Sequence, residues 1–176
     1  MPAINKKFEV KFDVLPKSIP SATWASVVHL TVANNHGRHG DRIPAVWLNS
    51  QSFWLVASSV SGNYNHNHEF WNVSLNRWNS FRIWQTQIPD GSYFFEYSIN
   101  NKTIHSIENN DPKTFRNVKV YAADPWHVSA DAKIRDLQIC TWKTILMFQS
   151  YTYSFKIIME DYSYFICFEI IVNFNM

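Results

Sequence analysis

Cysteine is nearly absent. Cys140 and Cys167 are the only two in 176 residues, both in the last part of the chain. Two thiols do not make a disulfide framework, and no CxxC pair is present to anchor a zinc site. Charge is sparse as well: Asp, Glu, Lys and Arg make up 17 % of the chain, below the usual quarter. The net charge is +2, and the lysines and arginines stand singly or in pairs, which excludes a nucleic-acid footprint. No stretch reaches the roughly 18 apolar residues of a membrane span. The longest apolar-leaning one, 164–174, is interrupted by Glu169. The opening MPAINKKFEV lacks the apolar core of a signal peptide. Residues 1–139 show no helical pattern longer than a turn or two, and no repeat.

What the chain has in excess is aromatic surface: 8 Trp, 8 Tyr and 13 Phe, 16 % of all residues. Rings pack well on pleated sheets, so an aromatic-rich, charge-poor chain of this length predicts one β-rich domain with a real core. Alternation supports this. In KFEVKFDV the apolar set is Phe8, Val10, Phe12 and Val14, while Glu9, Lys11 and Asp13 take the other face. WASVVHLTVA (24–33) reads as a central strand, and IPAVWL (43–48) and SFWLVA (52–57) as a hairpin. Further strands are expected at 69–75, 80–88, 92–99, 102–108, 116–123 and 133–139. Turn signals separate them: Pro-Asp-Gly at 89–91, Asn100-Asn101, and Asn-Asn-Asp-Pro at 109–112. About ten short strands with regular turns predict an all-β, antiparallel two-sheet β-sandwich.

Three segments are expected. Residues 1–6 form an N-terminal segment, 7–139 the sandwich, and 140–176 a tail without Gly or Pro and dense in Ile, Phe, Tyr and Met. The tail reads as a divergent or artefactual appendage, dispensable for the sandwich. The alternative is a pair of extra strands.

The order of HGRHGDRIPAVWL, SFWLVAS, LNRWNSFRIWQ, DGSYFFEYSIN, FRNVKVYAADPW and ADAKIRDLQI resembles the concanavalin A-like jelly roll. That superfamily includes laminin G-like, galectin-like and glucanase domains. GDRIPAVW, NVKVYAADPW and IRDLQI are similar to a laminin G-like extracellular module. The resemblance implies an extracellular module that binds carbohydrate or a protein partner, and a structural calcium, since some such domains carry one. Galectins read galactose through His-x-Asn-x-Arg and Trp-x-x-Glu-x-Arg runs. Here His29, Asn35 and Arg38 stand at other spacings, and Trp71 is not followed by Glu and Arg at those offsets. The Glu-x-Asp-x-x-Glu run of retaining glucanases of this fold is absent.

Candidate site residues follow. HGRHG, with two of the four glycines, reads as a loop in which Gly37 and Gly40 supply positive φ. That loop (36–42) and NYNHNH (63–68), read as a second polar loop, are expected to form one binding edge. Its contact residues are Arg38, Arg42, His66 and His68, with Trp126 of AADPWHV as a stacking residue. On a strand, His66 and His68 would share a face and take zinc with Glu69 or Asp41. His36, His39 and Asp41 are further metal candidates, and Asp41, Asp90, Asp111 or Asp124 would serve calcium. No EF-hand loop is present, and a solvated polar loop is the alternative. Trp47, Trp54, Trp71 and Trp84 are either core or a stacking platform. Asn72 and Asn101 head glycosylation sequons. Glycoside hydrolysis needs two carboxylates roughly 5 to 9.5 Å apart. Glu9 and Asp13 would stand roughly 13 Å apart on one strand face, with Lys11 between them, and read as a solvated face. No GxSxG elbow occurs. The expectation is a non-catalytic recognition module. The alternatives are a structural adhesion domain or, third, a glycan-active enzyme.

Overall fold

The computed structural model describes residues 1–35, 37–147 and 160–170. Among these residues there is no helix. The strands run in order β1 (Ala3–Ile4), β2 (Phe8–Pro16), β3 (Trp24–Thr31), β4 (Ala45–Asn49), β5 (Trp54–Val60), β6 (Asn63–Phe70) and β7 (Asn79–Gln87). They continue with β8 (Tyr93–Ile99), β9 (Lys102–Glu108), β10 (Phe115–Arg116), β11 (Lys119–Ala122), β12 (Val128–Ser129), β13 (Ala132–Met147) and β14 (Glu160–Ile170).

Two six-stranded sheets result. The first has the order β11-β3-β4-β5-β6, with β12 also against β3; the second has the order β14-β13-β2-β7-β8-β9. All pairings are antiparallel except the two-residue bridge of β12 to β3, which is parallel. β1 and β10 make a separate two-stranded ribbon. The alternation of β2 does what its pattern predicts: Phe8, Val10, Phe12 and Val14 are buried. They meet Leu30, Val46, Leu48 and Val56 from the first sheet in one core. Phe12 stacks on Phe81 at 5.0 Å, and Trp54 meets Phe81 edge-on at 5.2 Å. Trp54 is therefore core, where a fully buried large side chain contributes roughly 1.5 to 3 kcal/mol.

The turns follow their residues. Asn100 and Asn101 both adopt positive φ, as a tight hairpin with right-handed strand twist requires. Gly40 has φ +94°, and a Cβ there would come within 2.9 Å of Val32 Cγ2, so no other residue fits. The expected loop at 36–42 does connect β3 to β4.

Four details differ from the sequence reading. NYNHNH (63–68) belongs to strand β6 rather than to a loop, and of the strand expected at 69–75 only Glu69 and Phe70 are in one. The position of the expected 139/140 boundary lies inside β13, which continues to Met147 and pairs with β14. Cys140 and Cys167, directly opposite in that pairing, form a disulfide. Glu9 is buried rather than solvated, held by Lys11 at 2.7 Å and by Arg82. Asp13 pairs with Arg135 at 2.9 Å. Both carboxylates of the one sequence-visible acidic pair are thus neutralised by cations.

Candidate ligand-binding face

The outer face of the first sheet is built in cross-strand rows. Ser26, Trp47, Leu55 and Glu69 lie directly opposite one another on β3, β4, β5 and β6. One step away, His29, Ala45, Ala57 and Asn67 form the next row. A bulge between Ser26 and Val28 sends both Val27 and Val28 into the core. That extra residue sets the parity that turns His29 outward.

Trp47, although on this outer face, is only 2 % exposed. Its ring lies under the Arg42 guanidinium, 5.0 Å from the centroid, and against His29 and His127 at 5.4 and 5.5 Å. It is a floor, not a contact surface. Arg42 is held in place by Asn35 Oδ1, to which Nε and Nη2 donate at 3.1 and 2.9 Å, and by Asn65 Oδ1. These bonds join the 36–42 loop to β6.

Behind the floor sits a buried polar relay. His29 Nδ1 donates to Asp124 Oδ2 at 2.9 Å, and Nε2 donates to the Asp41 carbonyl at 2.6 Å. Asp124 Oδ1 accepts from the backbone N–H groups of Trp126 and His127 at 2.9 and 3.0 Å. Burial alone would raise the Asp124 pKa, but hydrogen bonds from His29, His127 and the Trp126 backbone outweigh it and hold the carboxyl well below its ordinary range. His127 Nδ1 lies 2.9 Å from Asp124 Oδ1 and 3.3 Å from Trp47 Nε1. One nitrogen cannot donate to the first and accept from the second. The shorter, charge-assisted contact wins, and it fixes the proton on Nδ1.

Above the floor lies a cleft of about 240 Å³ lined by Trp24, Arg42, Trp47, Leu55, Asn65, Asn67, Glu69 and His127. Glu69 is exposed, and its side chain makes no hydrogen bond or ion pair with another described residue. Asn67 donates to the Asn65 carbonyl at 2.9 Å and keeps the rest of its amide. The cleft therefore presents free acceptors and donors beside the indole of Trp24.

The sequence-predicted residues divide. Arg42 lines the cleft, whereas Arg38 is exposed and meets Asp41 only through its backbone. Trp126 packs edge-on against His29 and Tyr121 at 5.5 and 5.6 Å, beside the cleft but not among its lining residues. His66 and His68 share a face, as their spacing requires, but it is the inward one. His66 Nε2 lies 2.9 Å from His105 Nε2, and His68 Nδ1 is 2.7 Å from the Tyr97 hydroxyl. Glu69, one residue on, points the opposite way, so the proposed zinc set does not assemble. His36 lies outside the described residues. His39 stacks on Phe115 at 5.5 Å, and burial lowers its pKa. The calcium candidates are dispersed: Asp90 caps Ser92, Asp111 pairs with Lys113, and Asp124 serves the relay. Among the described residues, no group of three His, Cys, Asp or Glu side chains is placed to hold a metal ion. Trp84 lies under Arg82, 4.5 Å away, and donates to Glu96. Asn72 and Asn101 are both exposed. Trp24, Asn65, Asn67 and His127 were missed, and Glu69 was considered only as a zinc ligand. Reading NYNHNHEF at period two would have placed Asn65, Asn67 and Glu69 on one face.

Known structures share this architecture. A native heptameric SAP-like pentraxin from Limulus polyphemus superposes with a TM-score of 0.54 at 11 % identity, over 79 % of this chain and 65 % of the pentraxin. The receptor-binding domain of botulinum neurotoxin type G superposes with a TM-score of 0.52 at 15 % identity, over 78 % of this chain and 38 % of that one. The chain thus spans less than two thirds of either. At such identities the likeness is one of fold alone, an all-β two-sheet sandwich, in line with the resemblance to the concanavalin A-like jelly roll. No protein-family model matches the chain, and neither does any curated protein sequence.

Proposed function

We propose that this protein is a non-catalytic recognition module that binds carbohydrate in the cleft on the outer face of β3–β6, outside the cell. The observation that carries this is the composition of the cleft. A partly exposed indole, Trp24, adjoins the free groups of Asn65, Asn67 and Glu69, over a floor rigidified by Arg42 and Trp47. A sugar ring has an apolar C–H face and a rim of hydroxyls, and an apolar site with a few placed polar groups matches both. Among the described residues Glu69 is the only carboxylate lining the cleft, and a hydrolase needs two. The Cys140–Cys167 disulfide supports an oxidising compartment. A protein partner is the competing occupant.

A glycan array tests the reading, followed by titration of the best hit. Binding to at least one glycan class is expected. Glu69→Gln and Asn67→Ala should each weaken it about 5- to 30-fold, from the roughly 1 to 2 kcal/mol of a hydrogen bond to a neutral or charged group. Melting temperatures should stay unchanged, because both side chains are exposed. Arg38→Ala and Trp126→Ala should keep the affinity, since neither side chain lines the cleft. Folded protein that binds no glycan, or binding indifferent to Glu69 and Asn67, would overturn it.

A further inference from the structure

We infer that the cleft is one end of a longer groove whose ligand is an extended, linear oligosaccharide rather than a single sugar. This rests on the carbohydrate reading of the cleft and adds a second, aromatic subsite to it, centred on Trp71.

The next row along the strands, beyond Trp47, Leu55 and Glu69, is aromatic. Trp24 lies opposite Asn49 in the β3–β4 register. Phe53 and Trp71 immediately flank the pair Trp54 and Phe70 of the β5–β6 register. Trp24 meets Phe53 edge-on at 5.7 Å, and Phe53 packs against Trp71 at 4.4 Å. Three rings thus run side by side across the end of the face. Phe53 is 3 % exposed, whereas Trp71 is 61 % exposed. Phe53 therefore holds one side of the Trp71 ring and leaves the other to solvent. Single exposed hydrophobic residues need no explanation. This one differs because Trp24 belongs both to the aromatic row and to the wall of the cleft. The two features form one continuous surface.

One row is a step of two residues, roughly 6.5 to 7 Å along the strands. A ligand whose hydroxyls engage Asn65, Asn67 and Glu69 in the cleft must continue past Trp24 to reach Trp71. A linear chain of sugar rings does so and places the C–H face of a later ring on the Trp71 indole. An apolar peptide would cover the same rings but would leave the free Glu69 carboxylate beneath it without a partner, which costs affinity.

Chain length is the variable that tests this. The probes are linear homo-oligomers of glucose, galactose and mannose, from monosaccharide to hexasaccharide, titrated calorimetrically into the whole chain. Protein made without N-glycosylation is used, because the sequon residue Asn72 adjoins Trp71. For at least one series, affinity should rise about ten-fold once the ligand is long enough to reach Trp71. Trp71→Ala should abolish that rise and leave the shortest ligand's affinity within about two-fold of the parent, whereas Glu69→Gln should weaken every length. Affinity independent of length, or Trp71→Ala acting equally on all lengths or on none, overturns the extended groove while the cleft reading stands. Failure of every saccharide to bind the folded protein overturns both.

Discussion

His29 is the residue on which the outer face turns. Its two ring nitrogens face a carboxylate and a backbone carbonyl, both of which only accept, so both donate. The ring and Asp124 are each fully buried. Asp124 is then the hydrogen-bond partner of His29 and the anchor of the backbone at Trp126 and His127. Removing one partner of a buried pair costs about 3 to 5 kcal/mol, so Asp124→Asn should destabilise the fold by that order at neutral pH. The pH dependence has a definite sign. The folded pKa of Asp124 lies below its unfolded value of about 3.9. Its contribution is therefore fully present above that value and drains away as pH falls below it. Urea unfolding at pH 7 and at pH 3 should show a large difference between the parent and Asp124→Asn at the first and a smaller one at the second. An equal difference at both would show that the carboxylate's charge is not what stabilises the relay.

At the scale of elements, β6 and β9 close one open side of the sandwich with a histidine contact. His66 and His105 share one proton between nitrogens 2.9 Å apart, and His68 stacks on His105 at 4.5 Å. Adding a proton would set N–H against N–H. Burial, with His68 and then His66 beside it, holds the His105 pKa down to about 4, and burial with His68 lowers His66. Unfolded histidine titrates near 6.5. The contact thus contributes stability above about pH 6.5 that is lost as pH falls toward about 4, a window distinct from that of Asp124. Denaturation midpoints should fall across this window in the parent, and the slope should flatten in His105→Phe. The histidine contact also shows where sequence reading stops. β2 was legible because Phe8, Val10, Phe12 and Val14 alternate without interruption. NYNHNHEF alternates equally well, but Asn and His favour turns and have low strand propensity, so composition masked the period. The bulge at Val27 is invisible within a continuous apolar run, yet it decides which way His29 points. The row Ser26, Trp47, Leu55 and Glu69 is drawn from four strands, and only the pairing register brings its members together.

For the whole molecule, the N-terminal segment is fastened to Val118, just before β11, and to β13. The Met1 ammonium donates to the Val118 carbonyl at 2.6 Å, and Ile4 is fully buried. Asn5 binds Thr141 Oγ1 at 2.9 Å and the Trp142 carbonyl at 2.7 Å, and the Trp142 N–H donates to the Lys7 carbonyl at 3.2 Å. The contacts that fasten residues 1–7 therefore extend beyond Ile139, to Trp142. β14 lies outside β13 at the sheet edge, joined by the disulfide. Two truncations separate these roles, the longer one carrying Cys140→Ser because it lacks Cys167. A chain ending after Trp142 keeps the β2–β13 pairing and the Asn5 anchors, and should unfold in one transition close to the parent's. A chain ending after Ile139 loses the four hydrogen bonds that join Asn5 and Lys7 to Thr141 and Trp142, at about 1 kcal/mol each, together with the pairing of Cys140 and Thr141 to β2, and should unfold at a distinctly lower denaturant concentration. Both should associate more readily than the parent, because removing β14 bares the long edge of β13. Sedimentation at several concentrations reads that association separately from stability. If the chain ending after Trp142 fails to fold while the full chain does, β14 is part of the folding unit and the domain extends at least to Ile170.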